Sequence, residues 1–364
     1  MKKLLIALAV GILFMVSSAS AEAPYDFAWG RQSGTSGIDY NYGIAADPAG
    51  NVFICGQTQG NLGGPNAGDY DAYISKYDAY GSLLWTHQLG QYGFDGAMDV
   101  ATNAAGNIFI TGHTDGSLGG QTNAGSTDAF LSKFDTSGNV LWTRQLGTSA
   151  VEASYGIATD AVGNIFITGC TTGSLYGSNA GNLDVFVSKY DPLGSLLWTR
   201  QQGTSGQETS NGVATDTDGN VYIGGGTMGS LDGGPYAGQW DAFVSKYDAS
   251  GTLLWTHQRE TSADDYIYDV EADADGNVLD VDASAATCAS IIIKTNGEII
   301  LTPAKLSVIK LGGEDANMAI MCTKVNNMGA GGQVIAQPII DTWGGVQGAA
   351  DGLNGTFARK VLIK

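Results

Sequence analysis

Histidine occurs three times in 364 residues, cysteine four times and proline seven. His87, His113 and His257 stand in different stretches with no shared ligand spacing, which argues against a zinc centre built on imidazole. Cys55, Cys170, Cys288 and Cys322 are too few to staple a chain of this length. They read as small buried hydrophobes, with Cys288–Cys322 the one pairing worth entertaining. Scarce proline beside 54 glycines points to tight turns rather than low complexity. Basic residues are also sparse, 17 Lys and Arg against 36 Asp and Glu, for a net charge of −19. A surface of that sign repels nucleic acid and anionic lipid, so neither is an expected partner. GxSxG, phosphate-loop, Cys–His and dinucleotide-binding patterns are missing, and no cofactor is expected. After the first residues no apolar run is long enough to span a bilayer, so no membrane insertion is expected.

The opening "MKKLLIALAVGILFMVSSASA" joins Lys2 and Lys3 to an apolar run from Leu4 to Val16 and the small residues Ala19-Ser20-Ala21. That is the grammar of a signal peptide over 1–21, which directs the chain to the periplasm, the cell surface or the medium. The remainder, 22–364, reads as one domain.

Repetition dominates it. "GNVFICGQT", "GNIFITGHT", "GNIFITGCT" and "GNVYIGGGT" recur, with "GNVLDVDAS" as a weaker copy. Trp29, Trp85, Trp142, Trp198 and Trp255 are spaced by 56, 57, 56 and 57 residues, and Lys76, Lys133, Lys189 and Lys246 keep the same step. A fixed period of this size marks stacked supersecondary units. In the second copy four strand patterns run Met98–Thr102, Asn107–Thr111, Ala129–Phe134 and Val140–Leu146. They are joined by "NAAGN" and "DTSGN" turns, in which an Asx side chain bonds the backbone and glycine takes positive φ. Four antiparallel strands per period, without an apolar helical pattern, predict an all-β fold: a β-propeller. Small residues in "GIAAD" and "GIATD" place the first strand at the axis, and tryptophan places the fourth at the rim. The rim-type "FAWGRQSG" at the start and "GTFARKVLIK" at the end suggest that the chain's ends complete one composite blade. The expectation is about six blades: regular over 29–258, shortened over 259–304, degenerate over 305–364.

The segments "GIATDAVGNIFITG" and "DAFLSKFDTSGNVLWTRQLGT" resemble the bacterial SBBP family of β-propeller repeats. The resemblance is strong over 29–258. It implies an exported or surface module without a common reaction, and this chain's count of six departs from the seven blades in the family's name.

Strand order puts the tight "DxxGN" hairpins on one face and the long glycine-rich loops, such as "GSLGGQTNAGSTD", on the other. On the long-loop face stand Tyr40, Tyr70, Tyr92, Phe94, Tyr176, Tyr236 and Trp240, with Asp39, Asp95, Glu152, Glu208, Asn66, Asn123 and Asn179 nearby. Rings beside hydrogen-bonding groups suit carbohydrate or peptide; the alternative is that the rings only pack the loops down. Asp71, Asp128, Asp184 and Asp241 recur at one position and read as loop caps, because an enzyme rarely needs an acid four times. Arg31, Arg144 and Arg200 alternate with His87 and His257 at one rim position and read as rim surface. The fifth copy is acidic: Asp264, Asp265, Asp269, Glu271, Asp273, Asp275, Asp280 and Asp282. Such a cluster marks either a decayed, solvent-exposed blade or a site for Ca2+, the ion it would take outside the cell, although "DTDGN" and "DADGN" lack the bidentate glutamate of an EF-hand, with Thr227 or Ser284 in its place. Alternation sets Glu271 and Asp280 on opposite sheet faces. Together these features predict a non-enzymatic, monomeric binding module for carbohydrate or protein. The alternatives are a structural scaffold or a secreted hydrolase or lyase.

Overall fold

The computed structural model describes residues 29–259, 262, 264–272, 278–282, 288–293 and 299–303. The predicted signal peptide, the degenerate copy 305–364 and the pairing of the chain ends lie outside them, as does Cys322 of the proposed cysteine pair. The chain divides into two compact units: Arg31–Ala285 with Ile291–Ile299, and Met1–Gly30 with Ala286–Ser290 and Ile300–Lys364. The smaller unit's described backbone comprises Trp29, Gly30 and parts of two strands.

The larger unit is built from antiparallel four-stranded sheets, each in simple sequence order. The first holds β1 (Asp39–Ala46), β2 (Val52–Thr58), β3 (Asp71–Tyr77) and β4 (Leu83–Leu89). The second holds β5 (Asp95–Thr102), β6 (Ile108–Thr114), β7 (Asp128–Phe134) and β8 (Val140–Leu146). The third holds β9 (Glu152–Thr159), β10 (Ile165–Thr171), β11 (Asp184–Tyr190) and β12 (Leu196–Gln202). The fourth holds β13 (Glu208–Thr215), β14 (Val221–Thr227), β15 (Asp241–Tyr247) and β16 (Leu253–Arg259). A fifth sheet begins the same way: β17 (Ile267–Ala272) pairs with β18 (Val278–Asp282), whose Val278 and Leu279 pair with Ile293 and Ile292 of β19 (Cys288–Ile293). A last strand, β20 (Ile299–Pro303), follows. No α-helix occurs among the described residues. First strands lie side by side, β1 to β5 to β9 to β13 to β17, as the axis of a propeller requires.

The hairpins follow the turn chemistry read from the sequence. Ala49 and Asn51 N–H donate to Asp47 Oδ1 (3.0 and 2.9 Å), and Asp78, Asn103, Asp135, Asp160, Asp191, Asp216 and Asp248 repeat the arrangement. The glycine closing each turn has φ between 76° and 88°, a region costly for residues with a Cβ.

Apolar side chains meet between sheets. Phe53, Ile74, Ile108 and Phe130 fill the first interface, and Phe166, Val187, Ile223 and Phe243 fill the third. Burial of each contributes about 1.5–3 kcal/mol. Each rim tryptophan tilts against a second-strand ring: Phe53–Trp85, Phe109–Trp142, Phe166–Trp198 and Tyr222–Trp255, all at 6.1–6.3 Å. The periodic lysines join neighbouring blades. Lys76, Lys133 and Lys189 Nζ lie 5.0–5.4 Å from Phe53, Phe109 and Phe166 and donate to Thr136, Pro192 and Ala249 carbonyls of the next blade's outer hairpin. Lys246 instead pairs with Asp216 (3.6 Å).

The rim arginines, expected simply as rim surface, also bind backbone carbonyls. Arg31, Arg144 and Arg200 donate through Nε to the Gly81, Gly194 and Gly251 carbonyls (2.7, 2.8 and 2.6 Å). Cys55 and Cys170 are buried free thiols, as expected.

Candidate functional site

The long loops between second and third strands and the links between blades share one face. Each loop is fastened at its base. Ala67, Ala124, Ala180 and Ala237 N–H donate to Oδ2 of Asp71, Asp128, Asp184 and Asp241 (2.8–3.1 Å). The same oxygens accept Nε2 of Gln88, Gln145, Gln201 and Gln258 (2.8–3.2 Å). These aspartates are the loop caps their recurrence predicts.

The acids expected to accompany the rings have a different task. Asp95 and Glu208 are buried. They accept the N–H of Gln91 and Thr204 four residues earlier (2.8 and 2.7 Å) and the hydroxyls of Thr114 and Thr227. Glu152 repeats this with Thr148 and Thr171, and Asp39 with Thr35 and Thr58. Burial pushes the Asp95 carboxyl up to about 6 against the pull of Thr114 and Gln91, and raises Glu208 likewise. They cap the links between blades. The recurrence that identified Asp71 and its copies as caps holds for these four as well. Asn66, Asn123 and Asn179 are also engaged inside their loops, donating to Thr58, Thr114 and Thr171 carbonyls (3.1–3.4 Å).

The rings divide into groups. Tyr40, Tyr70 and Phe94 join one continuous row with two residues the sequence reading missed, Tyr42 and His113. Ring centroids step Tyr42–Tyr40 6.0 Å, Tyr40–Tyr70 6.5 Å, Tyr70–Phe94 5.0 Å and Phe94–His113 5.3 Å. Tyr40 and Tyr42 keep 46% and 45% of their surface exposed. Burial lowers the His113 pKa, which keeps its imidazole neutral as an aromatic plate. Trp240 joins a second row with Tyr266 (4.9 Å), which in turn meets Tyr268 (6.0 Å). Tyr176 lies under the Arg200 guanidinium (4.9 Å), and the Tyr236 hydroxyl donates to the Gln239 carbonyl within its own loop. Tyr92 is 91% exposed and meets none of the other rings. Tyr42 and Tyr268 lie four repeat steps apart, a periodicity that marks them as equivalent positions.

No group of three or more His, Cys, Asp or Glu side chains suited to a metal ion occurs among the described residues. In the acidic fifth copy, Glu271 pairs with Leu279 and Val270 with Asp280, so Glu271 and Asp280 stand on opposite faces. Asp273 and Asp275 lie outside the described residues.

Curated relatives match parts of the chain. Regulatory protein FlaEY of Caulobacter vibrioides is 26% identical over 227 residues, 58% of this chain and 23% of that protein. An uncharacterized WD repeat-containing protein, L264, of Acanthamoeba polyphaga mimivirus is 28% identical over 173 residues, 40% of this chain and 12% of its own length. The chain therefore spans less than a quarter of either relative. Among solved structures, a Lactobacillus plantarum protein aligns over 72% of this chain and 69% of its own at 14% identity and a TM-score of 0.43. A gluconolactonase of Xanthomonas campestris covers 72% and 75% at 13% identity and a TM-score of 0.41. The SBBP β-propeller repeat matches at 28–64, 141–177 and 197–232. The matches at 141–177 and 197–232 run from a rim strand, β8 or β12, across the blade junction into the next blade's inner strands, where the junction caps are concentrated. This chain carries the SBBP β-propeller repeat.

Proposed function

We propose that the protein is an exported, monomeric, non-enzymatic binding module whose long-loop face takes carbohydrate. The observation that carries this reading is the continuous row Tyr42–Tyr40–Tyr70–Phe94–His113 across the junction of the first two blades. Aromatic faces meet the C–H groups of a sugar ring, and tyrosine hydroxyls supply polar partners at the edges. The neighbouring acids are tied up in turn caps, which removes the paired carboxylates a hydrolase would need. Six blades, closed through the chain's ends, belong to the same proposal. Ile44 on β1 is left 71% exposed, as expected of an inner strand that faces one more blade.

A docking scaffold is the second reading. It is favoured by the exposed pairs Leu83–Leu84, Val140–Leu141, Leu196–Leu197 and Leu253–Leu254 on the edge strands of the four complete sheets. Affinity electrophoresis of the purified protein against soluble polysaccharides, with calcium and with chelator, separates the two. Retardation by a glycan that Tyr70→Ala abolishes supports the first reading. Migration unchanged by every glycan overturns it and leaves the scaffold.

A further inference from the structure

The second group of rings stands at the junction of the fourth and fifth sheets. Trp240 ends the fourth long loop, and Tyr266 leads into β17. Their ring centroids lie 4.9 Å apart, and Tyr268 follows at 6.0 Å. Backbone bonds fix the approach: Asp265 N–H donates to the Trp240 carbonyl (2.8 Å), and Trp240 N–H donates to Asp264 Oδ1 (3.3 Å). The strand beneath is cut back to receive the rings. Gly226 of β14 stands where earlier copies carry Gln57, His113 and Cys170, and a Cβ there would lie 2.7 Å from Tyr266 Cδ1 and 3.1 Å from Trp240 Cε3. Tyr268 keeps 54% of its surface exposed, and Asp264 is exposed as well.

Between this group and the row Tyr42–Tyr40–Tyr70–Phe94–His113 lie two junctions of another character. Where Tyr70 bridges to Phe94 at the first junction, the second pairs Thr127 with Val151 and the third pairs Leu183 with Gln207. The loop face therefore carries rings at two separate places and none at the matching positions between them. The two places are three sheets apart, on the order of 30 Å at ordinary sheet-to-sheet spacing. A ligand of two or three sugars cannot lie on both.

Resting on the carbohydrate reading of the first row, we infer that Trp240, Tyr266 and Tyr268 form a second sugar platform and that the ligand is an uncharged polysaccharide gripped at both platforms at once. Ring faces stack on the C–H surface of a sugar at either place. A net charge of −19 repels anionic polymers and leaves the uncharged ones. Once one platform holds the polymer, the other meets it at a high effective concentration, so two weak contacts give tight binding.

The test is calorimetric titration of the purified protein with barley β-glucan, galactomannan and dextran, each as the polymer and as trisaccharide fragments. At least one polymer is expected to bind about tenfold or more tighter than its own fragment, and about two fragments are expected to bind per chain. Trp240→Ala is expected to weaken polymer binding about tenfold and to reduce the fragment count to about one. Tyr268→Ala removes an exposed ring without opening the fold, and is expected to weaken polymer binding about fivefold. One fragment per chain in the unaltered protein, or undiminished polymer binding in both variants with native circular dichroism spectra, would overturn the second platform and leave the first standing. No binding of any polymer or fragment would overturn the carbohydrate reading itself, and the second platform with it.

Discussion

Asp71, Asp128, Asp184 and Asp241 each use one carboxylate oxygen for two N–H donors, while the other is buried without a hydrogen-bond partner. Holding the loop base must outweigh that unsatisfied oxygen. Asp128→Ala leaves the Ala124 N–H and the Gln145 amide without this acceptor, and urea unfolding should show a loss of about 2 kcal/mol. Asp95 and Asp99 act in the opposite sense, because burial raises both above the ordinary aspartate value, to about 6 and about 7. Their contribution to stability is therefore complete below the unfolded value and is lost as pH rises through 6 to 7. Thermal melts should show a lower midpoint at pH about 8 than at about 5, and Asp99→Asn should shrink that drop. A flat profile would contradict the burial of these groups.

Each hairpin was legible because "DxxGN" states its own hydrogen bonds, from Asp47–Asn51 to Asp248–Thr252. The inner strand was only half legible. Sequence alternation placed its start in the second copy at Met98, whereas β5 begins at Asp95 and β6 runs on to Thr114. The bulge at Met98 resets the period of two, so the residues before it fall out of phase with "DVAT". The rim arginines do lie at the surface, but their bonds to backbone carbonyls some 50 residues away are revealed by no local pattern. Arg200 donates to the Gly251, Ser250 and Thr199 carbonyls (2.6, 3.0 and 2.8 Å). Arg200→Ala should cost about 1–2 kcal/mol in urea unfolding, and Arg200→Lys should recover only part, since an ammonium cannot reproduce the planar fork.

Across the whole molecule, a 56–57-residue period told the architecture, because each blade buries its apolar face only against the next. The binding face was legible in outline and not in detail. Tyr40, Tyr70 and Phe94 do meet, but sequence spacing could not show that Tyr176 packs under an arginine, or that Asn66 and Asp95 are committed to holding loops. Those pairings join residues of different loops and blades and exist only once the blades are stacked. The row and the isolated rings therefore make opposite forecasts. With a glycan that retards the protein, dissociation constants should be compared for Tyr40→Ala, Tyr70→Ala and Phe94→Ala against Tyr92→Ala and Tyr176→Ala. The row predicts that the first three weaken binding about tenfold and the last two leave it within about twofold. Equal losses across all five, or a loss confined to Tyr92→Ala, would contradict it.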